Sequence, residues 1–325
     1  MNKLPKWLLW SFVSCLFIAG INPGADAQVS RPIPVLQTNP DQRTTALGDV
    51  LSARQDKMSL FVSPLALIPG ETSFGIDLST NIYPKVEGTG GRTMQYNAVA
   101  GYKFLSRHAV SLSFRYQGAP EISYFDLNSP GSGNTKSVNP FDWSLDVAYG
   151  LQITRDFSMS ISGNFVTSWI GEAGYTGGAS IGAFYNHDFG YYGLLGVALK
   201  INDIGAPIYY SATSAYAMPA SAQLSGEYGI RFSEKHGLDL LLGGRYFFLP
   251  SESQLLTIGG GVEYDYDDTA FVRLGGQFGT RRFSMITAGA GLKLYHRYAL
   301  DLSYSHGLDP QIGIDIWSVG LSARF

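Results

Sequence analysis

Charge is scarce in this 325-residue chain: Asp, Glu, Lys and Arg make up 15% of it, against roughly 25% in an ordinary soluble domain. There is no long basic run, and the net charge is −3. That excludes a nucleic-acid binder that works by neutralising phosphates. Cysteine is almost absent, the one copy being Cys15. Beyond residue 20 no apolar run approaches helix-spanning length, and mean hydropathy is only +0.02, which excludes a helical membrane bundle. What is plentiful is aromatic and small: 20 Tyr, 19 Phe and 39 Gly. Hydrophobic content is too high for disorder, and Gly and Pro are too dispersed for collagen or a linker. The combination fits an outer-membrane β-barrel, whose strands show one face to lipid and one to a polar lumen.

Lys3 and Lys6 precede an apolar run from Trp7 to Gly20, and Ala25-Asp26-Ala27 forms a small-x-small cleavage site before Gln28. This is the grammar of a secretory signal peptide, so residues 1–27 are expected to be removed on export. A lipoprotein signal at Phe12-Val13-Ser14-Cys15 is the lesser alternative, because it leaves a very short apolar region. Removal takes Cys15 with it, and so any disulfide, thiolate metal site or cysteine nucleophile. An exported chain of this kind can span a membrane only as a barrel.

From Thr72 to Phe325 one unit repeats: about ten residues of alternating character, then a break. Val110, Leu112, Phe114 and Tyr116 alternate with Ser111, Ser113, Arg115 and Gln117. Tyr298, Leu300, Leu302 and Tyr304 alternate with Ala299, Asp301, Ser303 and Ser305. Tight breaks, as at Arg155-Asp156 and Asp267-Asp268, take turns with mostly longer ones, as at Asp126–Asn139 and Ile204–Pro219. The short Arg281-Arg282 break is the weakest point of that alternation. The pattern predicts strands near 72–83, 93–105, 108–126, 140–154, 157–168, 174–187, 191–203, 220–233, 236–249, 254–266, 269–280, 283–295, 298–306 and 314–325.

The expected fold is therefore all-β: a fourteen-stranded antiparallel transmembrane β-barrel with a short N-terminal plug segment. The even count places both termini in the periplasm. The division is 1–27 signal peptide, 28–70 plug and 71–325 barrel in the outer membrane. Residues 31–70 do not alternate; Asn39-Pro40-Asp41 reads as a turn or helix cap, and 42–54 as a short helix. A soluble sandwich or propeller would carry more charge outward.

Motifs for chemistry are few. Gly178-Ala179-Ser180-Ile181-Gly182 fits G-x-S-x-G but lies in an alternating strand, not a strand–turn–helix elbow. Gly131–Ser137 looks like a phosphate loop yet lacks the Gly before Lys136. Tyr264-Asp265-Tyr266-Asp267-Asp268 is explained more simply as a hairpin than as a calcium site. His108, His187, His236, His296 and His306 sit mostly at strand ends, with no zinc spacing. No cofactor or metal and no enzymatic activity are expected. An outer-membrane phospholipase would need Ser, His and a polar orienter to converge, and spacing assembles none. Arg115, Asp146, Asp239, Arg245 and Asp301 alternate with lipid-facing residues and should point into the lumen, as lining or plug-anchoring ion pairs or as ligand contacts.

The N-terminal motifs run Val35-Leu36, Pro40-Asp41-Gln42-Arg43, Leu47-Gly48-Asp49 and Ser63-Pro64-Leu65; near the end stand Gly260-Gly261-Val262-Glu263-Tyr264 and Phe271-Val272-Arg273-Leu274-Gly275. This order resembles the PorV/PorQ branch of the FadL-like outer-membrane proteins, part of the type IX secretion system of Bacteroidetes-type bacteria. The departures are Gln42 where the family has Ala, Leu47 where it has Met, and Ser63-Pro64-Leu65 for Asn-Pro-Ala. The resemblance implies a PorV-like receptor and shuttle that binds C-terminal signal domains of secreted cargo and passes them to a cell-surface attachment complex. Its implied partners are that cargo, the secretion translocon, attachment-complex subunits and outer-membrane lipid, with no nucleic acid. The broader FadL family implies the alternative, a transporter of long-chain fatty acids or other hydrophobic compounds. That alternative wants an apolar lumen pocket beside residues 36–70 and a lateral opening through the wall.

Overall fold

The computed structural model describes residues 31–85, 91–125, 135–211, 214–309 and 315–325. The expected signal peptide with Cys15, and residues 131–134 of the phosphate-like loop, lie outside the described residues. In chain order, β1 (Phe74–Lys85), β2 (Arg92–Phe104) and β3 (His108–Gly118) open a wall. An outlying hairpin follows, β4 (Ile122–Phe125) with β5 (Thr135–Val138). The wall continues with β6 (Phe141–Gln152), β7 (Phe157–Trp169), β8 (Ala173–Asp188) and β9 (Leu194–Gly205). Two short strands, β10 (Ile208–Ser211) and β11 (Ser214–Tyr216), occupy the next loop. β12 (Ser221–Arg231), β13 (His236–Phe247), β14 (Leu255–Tyr266) and β15 (Ala270–Gly279) come next. β16 (Ser284–Leu294), β17 (Tyr298–Gly307) and β18 (Asp315–Arg324) complete it. β18 pairs antiparallel with β1 from Gly75↔Arg324 to Ile82↔Trp317, so fourteen strands close on themselves. Closure satisfies every ladder without leaving an edge, the condition for a sheet in lipid.

The period of two puts apolar side chains outside and polar ones inside. On β6, Val147 is 58% exposed while Ser144, on the other face, is fully buried. An outward belt of Leu, Val, Ile and Phe is the surface a bilayer matches. Observed strands agree with the sequence pattern to within about three residues, except the third. It stops at Gly118 rather than 126, because Pro120 brings no N–H to a ladder. Residues 122–125 belong to the outlying hairpin instead.

Asp267 and Asp268 have φ of 58° and 48°, and Tyr295 and His296 have 53° and 54°. Paired left-handed residues make two-residue turns whose twist matches that of the flanking strands. Arg281 and Arg282, at 57° and 59°, form such a turn at the opposite end, among the longer loops.

Residues 31–70 run inside the barrel. The sheet's two ends, Phe74 and Phe325, meet at the tight-turn end, where Phe325 N donates to Phe74 O (2.8 Å). Arg31 lies at the other mouth, against Phe247 and Ser253. The first described residue therefore lies at the long-loop end and the last at the tight-turn end.

The expected helix over 42–54 is only Gln42–Ala46. It ends because Gly48 (φ +84°) turns the chain onto the wall. A Cβ at Gly48 would sit 2.4 Å from Gly276 O, and one at Gly259 would sit 2.2 Å from Gly48 O. Backbone lies on backbone there. Gly48→Ala adds a left-handed penalty to that clash and is expected to destabilise the folded protein by about 1–3 kcal/mol. The temperature at which the unboiled, faster-running band on SDS gels is lost should fall, while the circular dichroism stays sheet-dominated; an unchanged transition would contradict the close fit.

Candidate functional site

The inner segment is held by buried charge. Asn39-Pro40-Asp41 forms the expected cap: Asp41 N donates to Asn39 Oδ1 (3.0 Å), and Asp41 accepts from Arg43 N (3.2 Å) and Thr44 Oγ1 (2.9 Å). Capping satisfies the first helical N–H groups and fixes the direction of the turn. Arg43 then reaches the wall, donating to Glu263 (3.0 Å) from β14 and Glu227 (2.7 Å) from β12. Glu227 also accepts the backbone N–H of Ala53 and of Arg54, both at 3.0 Å. Arg54 binds Asp239, and Lys57 lies 2.9 Å from Asp265 and 3.5 Å from Glu263. Arg273 closes the cluster between Glu263 and Asp301. Glu227 and Glu263 are almost wholly buried, where an unpaired carboxylate would be costly.

A cavity of about 400 Å³ opens at the long-loop end between residues 31–49 and the wall, with a neighbour of about 230 Å³ sharing Arg31, Tyr83, Leu255 and Phe283. Met285 and Ile316 extend its apolar side. Phe247 stands between two guanidiniums, Arg31 at 4.3 Å and Arg245 at 4.1 Å from its ring centre. Arg31 donates to Gln37 Oε1 (3.0 Å) and Ser253 O (3.1 Å), and Arg281 to Glu252 O (2.9 Å). Among the described residues none of these three arginines has a carboxylate within 4 Å. Burial, and then Arg245 and Arg281, pull the Arg31 guanidinium down to about 10. It stays charged at neutral pH, in a place where an anion would relieve it.

Deeper lies a polar chamber of about 140 Å³, bounded by residues 36–64 and the inner faces of β3, β6–β9, β12 and β13. Thr38, Asn39, Asp49 and Arg245 line both the chamber and the outer cavity. Phe61 lines both the chamber and a vestibule of about 880 Å³ at the tight-turn end. Three cavities thus lie in series along the barrel.

The five residues singled out by alternation divide among these regions. Arg115 donates to Asp146 (2.7 Å) and Ser144 (3.1 Å) in the chamber, and Arg245 donates to Ser221 (3.2 Å) between chamber and cavity. Asp239 and Asp301 belong to the charge cluster. Sequence reasoning missed Glu227, Glu263 and Arg273, although each occupies the same alternate face and the same rule would have found them. It also missed Arg43, Arg54 and Lys57, which lie in a segment without a period.

Ser180 of the G-x-S-x-G match lies in mid-β8, its hydroxyl accepting from Asp203 N (3.0 Å). Asp265 binds Lys57 and caps the 267–268 turn through Asp268 N (2.8 Å). Among the described residues no three His, Cys, Asp or Glu side chains gather as a metal site.

Fold and contents define a class: a transmembrane barrel of the outer-membrane type, filled by its own N-terminal segment. Solved structures agree. The chain is similar to the toluene transporter TbuX of Ralstonia pickettii, with 11% identity, 90% of this chain and 100% of that one covered, and a TM-score of 0.58. It is similar to the P. putida toluene transporter TodX at 11% identity, 87% and 97% coverage and TM-score 0.59. The monoaromatic hydrocarbon channel CymD matches at 10% identity, 87% and 97% coverage and TM-score 0.58. The barrel fold is shared with these solved structures. No family model matches the chain, and no curated protein matches it.

Two outcomes test the buried charges. Arg43→Met leaves Glu227 and Glu263 short of a cation, and it should cost about 3–5 kcal/mol by urea unfolding in detergent; a loss below 1 kcal/mol would contradict the anchor. Burial raises the Asp41 carboxyl to about 6, against the opposing hydrogen bond from Thr44. A raised folded value contributes stability that is complete below about pH 4 and is lost as pH rises through 6. Relative to Asp41→Asn, wild type should therefore lose up to about 3 kcal/mol between pH 4 and pH 7. Parallel pH–stability curves would exclude that role.

Proposed function

We propose that this protein carries anionic amphiphiles, of the long-chain fatty acid kind, across the outer membrane, and that the outer cavity is where they are taken up. The observation that carries this reading is the pairing of an apolar wall with three arginines that lack carboxylate partners among the described residues. An acyl chain fits against Leu255, Phe283, Met285 and Ile316, and its carboxylate fits the guanidiniums. The likeness of fold to hydrocarbon channels supports it. In this reading residues 1–27 are the signal peptide, 28–70 plug the barrel of 71–325, and the tight turns face the periplasm.

A second reading keeps the secretion role: a receptor for the C-terminal domains of exported proteins, working with a translocon and an attachment complex. It is favoured by the chamber beside residues 36–64, which is polar where a lipophile's path would be apolar.

A fluorescent fatty-acid analogue should bind the folded, detergent-solubilised protein saturably. The double variant Arg31→Gln/Arg281→Gln should weaken it about tenfold, or about 1.4 kcal/mol. Absence of binding, with secreted proteins sharing a C-terminal β-domain co-purifying from gently solubilised membranes, would replace the first reading by the second.

A further inference from the structure

We propose that the inner chamber is a binding site for a small oxyanion, distinct from the acyl-chain site of the outer cavity although Arg245 lines both. Two cations face it with no carboxylate within 4 Å among the described residues. Lys200 donates to Val62 O (3.0 Å), which leaves two of its three protons, and Arg245 is engaged with protein oxygen only through Nε, at Ser221. The independent sign is Asn202. It is 8% exposed, lines the chamber, and its Nδ2 has no hydrogen-bond partner. A buried amide donor left unpaired is costly, and native interiors rarely leave one so.

The acids of the chamber are already engaged. Asp146 accepts from Arg115 (2.7 Å) and Ser144 (3.0 Å), Asp203 from Asn164 (2.7 Å), and Asp49 from Asn39 (2.8 Å). Donors remain on Lys200, Arg245 and Asn202, which suits an acceptor-rich ligand. The hydroxyls of Ser113 and Ser162 line the same space and add donors of either hand. A volume of about 140 Å³ holds an anion of phosphate or acetate size and has no room for an acyl tail. Such an anion comes by way of Arg245, which lines both spaces, and Phe61 closes the far side.

Isothermal titration of the folded, detergent-solubilised protein with inorganic phosphate should show saturable one-to-one binding. Lys200→Met and Asn202→Leu should each weaken it at least tenfold, and both should keep the fast-running unboiled band. Neither residue lines the outer cavity, so both variants should bind the fatty-acid analogue as wild type does. If Lys200→Met fails to fold, Asn202→Leu alone decides. No saturable phosphate binding, or equal binding in the folded variants, overturns the site and leaves the outer-cavity reading standing. Loss of analogue binding in wild type overturns that reading and leaves this one.

Discussion

Glu227 and Glu263 project from the wall into the barrel and are almost wholly buried; Glu263 faces Arg273 across the β14–β15 ladder, while no cation of its own or neighbouring strands lies within 4 Å of Glu227 among the described residues. Arg43, 220 residues from Glu263 in sequence, supplies the charge, with Lys57 and Arg273 beside it. In a medium of low dielectric such charges tolerate separation poorly. The position of the inner segment follows from this constraint: Arg43 fixes the helix Gln42–Ala46, and Glu227 also takes the N–H groups of Ala53 and Arg54. The segment between them is thereby laid along β12–β16, where Gly48 and Gly259 let backbone touch backbone. The space left over, on the β3–β9 side, is where the chamber lies.

Most of the wall was legible because a barrel writes a period of two into every strand, and lipid on one side with polar contents on the other sharpens it. Val147 outside and Ser144 inside are the rule in miniature. Failures of that reading have local causes. Pro120 ended β3 where alternation ran on, and Gly48 ended a helix where helix formers continued. The inner segment was legible only as an exception to the pattern. Its contacts join residues far apart in sequence, and no spacing rule connects Arg43 with Glu263 or Lys57 with Asp265. Of the site, alternation identified Asp239, Asp301, Arg115 and Asp146 as inward without saying which charges meet. Arg31 and Arg281, at the outer cavity, lie in a turn and a non-periodic segment that carry no such signal.

The cavities differ in chemistry along one axis. Apolar walls and guanidiniums at the long-loop end give way to hydroxyls, amides and paired ions within, and then to a wide vestibule of mixed charge at the tight-turn end. Arg245 sits at the first boundary and Phe61 at the second. In the transport reading a solute would meet a guanidinium at the first boundary and an aromatic ring at the second.

The path of the inner segment and the closure of the wall are linked by topology. Because residues 31–70 run from one mouth to the other before β1, the ring formed by β1 meeting β18 encircles a stretch of its own polypeptide. That ring is shut by the first and last wall strands, so it stays open until the final residues of the chain arrive. Afterwards the segment is a thread through a closed hoop, and the route by which it can leave intact is lengthwise.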